Sequence, residues 1–331
     1  MIKKLRLKNY RNFENLELSF PEGITVIYGD NGRGKTNILE SIHFLTTSKS
    51  PLTSREQELI KWEREYTRAY GEFDNIEVEI ILSRGRKKIK VNGRETQSAR
   101  LASTLSSVFF HPRDIELLDE PVWRRRYINL IISRINQRYS SSLRLYYRIL
   151  RHRNKVIRRL SEGMRDDIDI WDERLSREGE FIIKERERIL SELSKIFEEI
   201  FGRISGRRGS IRYIRTCEDM RSSLKRNLER DMKYLSTTTG PHRDDLEILM
   251  EGKRVVSRGE KRLLSLSLKL SEAVFLKNKG KEPILLLDDI FSELDEGRKG
   301  TLLENLPPLR QLIITTQDIF KVPRADFTIG L

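Results

Sequence analysis

The sequence predicts an α/β domain split by a helical insertion, and three observations carry that reading. Short β-branched or leucine-rich runs, GITVIYG, PILLLDDI and QLIITT, lie near both ends of the chain and suit inner strands of a parallel sheet. A glycine-rich loop, GDNGRGKT at 29–36, separates the first of these runs from a helical pattern. From about Val122 the middle of the chain turns helical, in SSLRLYYRILRHRNKVIRRL and SREGEFIIKERERILSELSKIFEEIF. The expected organisation is a head built from 1–113 and 236–331, which meet in space, and a basic helical insertion over 114–235.

The elements follow in order. LRLKNY and LELSF alternate as strands ahead of GITVIYG. After the loop, NILESIHFL sets Ile38, Leu39, Ile42 and Leu45 on one helix face. YGEFDNIEVEIILSRGRKKIKV reads as strands around a turn at Arg84–Gly85. The helical stretches are expected to break near Gly163 and Gly202, and strand patterning resumes around Tyr213. No internal repeat or sustained heptad is present.

The 331 residues suffice for one large domain or two ordinary ones. Net charge is +14, and between Pro121 and Leu160 twelve Arg and Lys residues stand without one Asp or Glu. Over 121–235 there are 29 basic and 17 acidic residues, so nearly all the excess lies in the middle third. A solvated helix face ordinarily mixes signs, so an unmixed block favours nucleic acid over an acidic protein or a membrane surface. The single cysteine, Cys217, has no intrachain disulfide partner, and Met1–Tyr10 lacks the apolar core of a secretion signal. No run approaches the roughly 18 apolar residues of a membrane span. A cytoplasmic, nucleoid-associated protein without a membrane role is expected.

Gly29, Asp30, Asn31, Gly32, Arg33, Gly34, Lys35 and Thr36 match Walker A, with strand before and helix after. Backbone N–H groups of such a loop curl round the ATP phosphates, Lys35 adds a point charge, and the Thr36 hydroxyl is placed to ligate Mg2+. Ile284–Asp289 matches Walker B, where Asp288 would hold Mg2+ and Asp289 would orient the attacking water. SRGEKRLLSLSLKL, from Ser257, alternates like a strand, but its length and few β-branched residues favour a helix from about Glu260 to Lys277. Ser257, Gly259 and Glu260 before that helix, with Walker B after it, follow the order of an ABC ATPase signature. Such a turn meets the γ-phosphate held by another subunit, so each chain carries two different half-sites and two ATPs bridge a homodimer. Ser292 and Asp295 fit the D-loop across the same seam. No glutamine marks a Q-loop, and Thr315 and Thr316 lie where a switch histidine is usual. The resulting fold class is an ABC-type P-loop ATPase head with a helical insertion domain.

Over essentially its whole length the chain resembles the bacterial RecF family, of the same broad class as SMC heads. The resemblance rests on LKNYRNFENLELSF, YGDNGRGKTNILESIHFL, VFFHPRDIELLDEPVWRRRYIN, YYRILRHRN, WDERLSREG, TGPHRDDLEI, SRGEKR and ILLLDDIFSELD. The family signature commonly reads SQGQQR; here Arg258, Glu260 and Lys261 replace glutamines, and Ser50-Pro51-Leu52 replaces Ser-Phe-Arg. The resemblance implies an ATP-dependent protein binding double-stranded and gapped DNA, with RecR- and RecO-type mediators as partners in placing recombinase at gaps. It implies a weak DNA-stimulated ATPase whose slow hydrolysis releases a DNA-clamping dimer.

Arg11 in YRNF is a candidate for the nucleotide, as first-hairpin arginines are in related heads; a solvated strand charge is the alternative. His242 and Arg243 suit either the nucleotide or interface, or a core or turn role, Asp244 and Asp245 suit caps of the next element, and His43 and His152 are expected to be structural. Candidate DNA contacts are Arg124, Arg125, Arg126, Arg151, Arg153 and Lys155, against pairing with acids. Tyr127, Tyr139, Tyr146 and Tyr147 are expected in helix core. Among rivals, an SMC-type machine needs longer heptad arms, a transporter ATPase leaves the basic insertion unexplained, and a small-molecule P-loop kinase needs no signature turn.

Overall fold

The computed structural model describes residues 1–98, 101, 104–254, 257–291, 296–317 and 325–331, with only the backbone of Glu296 and Arg298. The chain divides into two compact units. The first comprises Met1–Ile115, Glu199–Arg207 and Ser257–Leu331; the second comprises Glu116–Glu198 and Arg208–Val256.

The first unit contains β1 (Ile2–Tyr10), β2 (Phe13–Ser19), β3 (Gly23–Tyr28), α1 (Lys35–Thr47), β4 (Tyr66–Phe73), β5 (Ile76–Ser83), β6 (Arg86–Val91), β7 (Arg94–Glu95) and β8 (Ser107–Phe110). An antiparallel sheet runs β2-β1-β4-β5-β6-β7. Its alternation puts Leu5, Leu7, Val78 and Ile80 into the core and charged residues outward. Ile38, Leu39, Ile42 and Leu45 of α1 are fully buried in that core, on the face the sequence predicts.

The second unit contains α2 (Glu116–Asp119), α3 (Pro121–Ile135), α4 (Gln137–Ser161), most of α5 (Asp169–Ser205), β9 (Gly209–Ile214), α6 (Met220–Arg226), α7 (Leu228–Tyr234), β10 (Asp245–Met250) and β11 (Lys253–Arg254). The last three strands form a small antiparallel sheet, β11-β10-β9. Tyr127, Tyr139 and Tyr146 are buried as expected, whereas Tyr147 is 40% exposed.

The chain returns to the first unit with α8 (Arg258–Asn278), β12 (Ile284–Leu287), α9 (Glu296–Glu304), β13 (Gln311–Thr316) and β14 (Phe327–Gly330). A wholly parallel sheet then runs β14-β3-β13-β12-β8. β8, β12 and β13 are buried at every residue, which explains their unbroken apolar runs.

Three details differ from expectation, the first being that Glu199–Arg207, expected within the insertion over 114–235, belongs to the first unit. Residues 236–256 belong to the second unit rather than to the head, because β10 pairs along its length with β9. Gly202 does not break its helix: the nearest atom a Cβ there would meet is 3.8 Å away, and the turn comes at Gly206, with φ +68°. Among the described residues no helix is long and apolar enough to cross a membrane.

Candidate functional site: a nucleotide edge on the parallel sheet

Parallel α/β sheets present ligands to the carboxyl ends of their strands. Here four adjacent strand ends carry the polar residues: the loop after β3, Gln317 after β13, Asp288 and Asp289 after β12, and His111 after β8.

The loop after β3 leads into α1 through Gly34, whose φ of 100° lies in the left-handed region. A Cβ at Gly34 would stand 2.5 Å from the Phe13 ring and 2.7 Å from the Asn12 amide, so only glycine fits. No side chain caps α1, which leaves its first N–H groups for an anion. The Lys35 ammonium donates to the carbonyls of Gly29 (2.6 Å) and Asp30 (2.9 Å), which holds its charge within the loop.

Opposite stands Asp288, 3% exposed. It accepts from the Thr36 hydroxyl at 3.0 and 2.9 Å on its two oxygens and from the Thr315 hydroxyl at 2.6 Å. Burial pushes this carboxyl up, against the hydrogen bonds and the nearby imidazole of His111. Asp289 has φ 45°; its N–H donates to Thr315 Oγ1 at 3.0 Å and its carbonyl accepts from Arg262 of α8. Among the described residues no group of three or more His, Cys, Asp or Glu is placed to hold a metal ion. One carboxylate beside one hydroxyl nevertheless suits Mg2+, which takes few protein ligands and completes its shell with substrate phosphates and water.

The serine turn before α8 differs from the Walker loop. The helix spans Arg258–Asn278, which settles the strand-or-helix ambiguity, and Ser257 caps it. Glu260 N–H donates to Ser257 Oγ at 3.2 Å, and the Ser257 N–H and hydroxyl donate to Glu260 Oε2 at 3.2 and 2.8 Å. Arg207 holds the other Glu260 oxygen at 2.9 Å. The Ser257 hydroxyl and Arg207 together pull the Glu260 carboxyl below its usual range. Ser257 is exposed and nothing lies within 4 Å of a Cβ at Gly259, so the turn is accessible, but it already holds a carboxylate. Ser292 and Asp295 lie outside the described residues.

Arg11 is turned to a neighbouring task. It donates to both oxygens of the fully buried Glu40, at 2.8 and 2.7 Å, and to the Glu58 carbonyl at 3.0 Å. It therefore braces α1; its neighbour Asn12, not singled out from sequence, reaches the loop by donating to the Arg33 carbonyl at 3.2 Å.

The basic candidates separate by burial. Arg124 is 4% exposed and donates to both oxygens of Asp245 at 2.8 Å. Burial pushes Asp245 up, but this pairing outweighs it and the carboxyl lies below its usual range. Arg153 is fully buried between Asp172 and Asp231, at 2.6 Å from each, with Thr237 Oγ1 at 2.9 Å. Neither arginine is available to DNA, a correction the net charge alone does not reveal. Arg125 is half-buried and donates to the Asp244 carbonyl at 2.9 Å. Arg126 is exposed with its guanidinium 5.3 Å above the Trp123 ring. Arg151 and Lys155 are exposed and, with His152, line a hollow of about 310 Å³. His152 is exposed too and stacks on Trp171 at 4.9 Å.

His242 belongs to the second unit's interior. Its Nε2 meets the Thr237 carbonyl at 3.0 Å and its Nδ1 the Tyr146 hydroxyl at 2.7 Å. The carbonyl requires a proton on Nε2, and burial, which lowers the pKa to about 4, keeps the ring neutral so that Nδ1 accepts from Tyr146. Asp244 accepts from Tyr213 at 2.5 Å and Thr216 at 2.7 Å, closing the turn rather than capping a helix.

A family model described as the RecF/RecN/SMC N terminal domain matches residues 1–331. A protein named DNA replication and repair protein RecF, from Agathobacter rectalis, is 34% identical over 333 residues, covering 96% of this chain and 92% of the relative. Among solved structures, the recombination mediator protein RecF with ATP, of the RecFOR pathway, superimposes with a TM-score of 0.88 at 33% identity, covering 99% of this chain and 95% of that one. An Smc head bound to the C-terminal winged-helix domain of ScpA gives 0.60 at 21% identity, covering 99% and 93%, a likeness of fold.

Proposed function

The chain belongs to the RecF family, with the fold of an ABC-type ATPase head, and we propose that it works in recombinational repair as an ATP-gated, DNA-holding homodimer. The observation that carries this reading is the pairing of an uncapped, lysine-bearing loop with a buried carboxylate on one sheet edge. That combination binds a nucleoside triphosphate and hydrolyses it.

In this reading the loop N–H groups and Lys35 bind the β- and γ-phosphates, and Thr36 and Asp288 hold Mg2+. When bound, Mg2+ supplies positive charge against the phosphates. Asp289, its backbone fixed by Thr315 and Arg262, orients the attacking water. Ser257 and Gly259 of one copy, with Ser292 and Asp295, reach the nucleotide of the other. Ligand present at a thousand times its Kd favours the state that binds it by about 4 kcal/mol, enough to pair weakly associating chains. Two copies then bring two basic helical units to DNA, with Arg126, Arg151 and Lys155 among the groups that meet it. Slow, DNA-stimulated hydrolysis ends the pairing. Double-stranded and gapped DNA are the proposed ligands, and RecR- and RecO-type mediators the proposed partners, in the nucleoid-associated cytoplasm. Retention of a fluorescent duplex with ATP and with ADP tests this: retention indifferent to the nucleotide would contradict an ATP gate.

A further inference from the structure

Two of the four strand ends on the nucleotide edge carry side chains that belong to neither Walker motif nor the serine turn. His111 follows β8 and Gln317 follows β13, and these strands lie on either side of β12. The two side chains therefore bracket Asp288 and Asp289. We propose that His111 and Gln317 are the positioning pair that reads the nucleotide's terminal phosphate and its attacking water. His111 stands on the side of β12 away from the Walker A strand, and Gln317 stands between the two Walker strands. The inference rests on the nucleotide-site reading above.

The geometry at His111 specifies its proton. Its Nδ1 accepts the Arg113 N–H at 3.1 Å, so the ring proton is on Nε2. Nε2 lies 3.6 Å from Asp288 Oδ2, beyond a closed hydrogen bond, so the N–H is aimed beside the carboxylate rather than locked onto it. The ring is steadied by Phe109, stacked at 6.2 Å and 14°, and its side chain is 19% exposed. An oxygen brought next to Asp288 would find this N–H already oriented.

Gln317 approaches from the other side. It is exposed, and its Nε2 donates to Asn31 Oδ1 in the Walker loop at 3.1 Å. The residue two before it, Thr315, fixes both Asp288 and the Asp289 N–H. A primary amide offers both donor and acceptor, as does a neutral imidazole. Either group type can thus serve at either place, which is why an exchange of the two is chemically tolerable.

The test compares His111→Ala, His111→Gln, Gln317→Ala and the double exchange H111Q/Q317H, with thermal melting as a check on folding. The readouts are kcat for ATP hydrolysis and Kd for ATP and for ADP. For His111→Ala a loss of ~100-fold in kcat is expected, with Kd for ATP changed less than about threefold. His111→Gln and the double exchange are expected to stay within about tenfold of the parent, because an N–H donor is kept. Gln317→Ala is expected to reduce the preference for ATP over ADP by about tenfold, through loss of one hydrogen bond to a charged phosphate. The inference is overturned if His111→Ala hydrolyses ATP like the parent, if His111→Gln is as slow as His111→Ala at unchanged melting temperature, or if Gln317→Ala keeps the full preference. Failure of the nucleotide site as such is distinguishable, since Lys35→Ala would then bind ATP as tightly as the parent.

Discussion

The Thr36 hydroxyl and the Asp288 carboxylate, 252 residues apart in sequence, meet at 3.0 and 2.9 Å. Thr36 lies in the first turn of α1 and Asp288 directly follows β12, so the hydrogen bonds join the two halves of the head at the nucleotide edge. They also put a neutral donor against a buried carboxylate, an arrangement a divalent cation can enter by taking both oxygens.

Asp288→Asn keeps the shape of that pairing and removes the charge. ATP binding without Mg2+ is expected to change less than about threefold, while the tightening that Mg2+ brings is lost and hydrolysis falls ~100-fold or more. Titration of a fluorescent ATP analogue with and without Mg2+ checks this; an Mg2+ effect equal to the parent's would exclude Asp288 as a ligand.

The serine turn already contains an anion of its own, the Glu260 carboxylate 2.8 Å from Ser257 Oγ. Ser257→Arg should leave ATP binding intact and prevent nucleotide-driven pairing. Glu260→Gln keeps the cap and removes the charge that would repel an incoming phosphate. It should strengthen ATP-driven association several-fold, while giving up the favourable negative charge at the N-terminus of α8. Sedimentation at graded concentration measures both, and weaker pairing in Glu260→Gln would show that the carboxylate aids association.

Arg153 and Arg151 stand two residues apart and are expected to behave oppositely. Arg153→Leu leaves Asp172 and Asp231 buried without their cation and should destabilise the chain by about 3–5 kcal/mol. The pair Arg151→Ala and Lys155→Ala should leave the melting temperature unchanged. It should lower the slope of log DNA affinity against log salt by up to ~2, at ~0.9 for each phosphate no longer neutralised. An unaltered slope would show that this hollow does not touch DNA.

His242 gives a pH dependence of definite sign. Its folded pKa of about 4 lies below the ordinary histidine value, so the unfolded chain binds a proton that the folded chain refuses. Stability is complete above the unfolded pKa and falls as pH drops from about 6.5 towards 4, by up to ~3 kcal/mol. In melting curves between pH 7.5 and 5, His242→Gln should show a shallower decline than the parent; an equal decline would place the titrating group elsewhere.

The apolar runs made the parallel strands legible, because a strand buried on both faces leaves no alternation to misread. Walker A and Walker B were legible for the same reason, as each follows such a run. Burial within the helical unit was not. Arg124 and Arg153 look like Arg126 and Arg151 in sequence, and their acids, Asp245, Asp172 and Asp231, are supplied from distant segments. The boundary at 236 is not legible because β10 finds its partner β9 across an intervening segment that contains α6 and α7. His111 lies in VFFHPRDIELLDEPVWRRRYIN, a segment that carries the family resemblance, but it belongs to neither Walker motif nor the signature turn, and the strand VFF immediately before it is the one signal in its favour.

The central claim is that nucleotide held by one copy's Walker loop is completed by the serine turn of another. Light scattering of the intact chain, with Mg2+ and ATP, with ADP, and without nucleotide, tests it most directly. A mass near 39.1 kDa is expected without nucleotide and with ADP, and twice that with ATP. A complex saturated with ATP that stays at the single-chain mass at every concentration would contradict it.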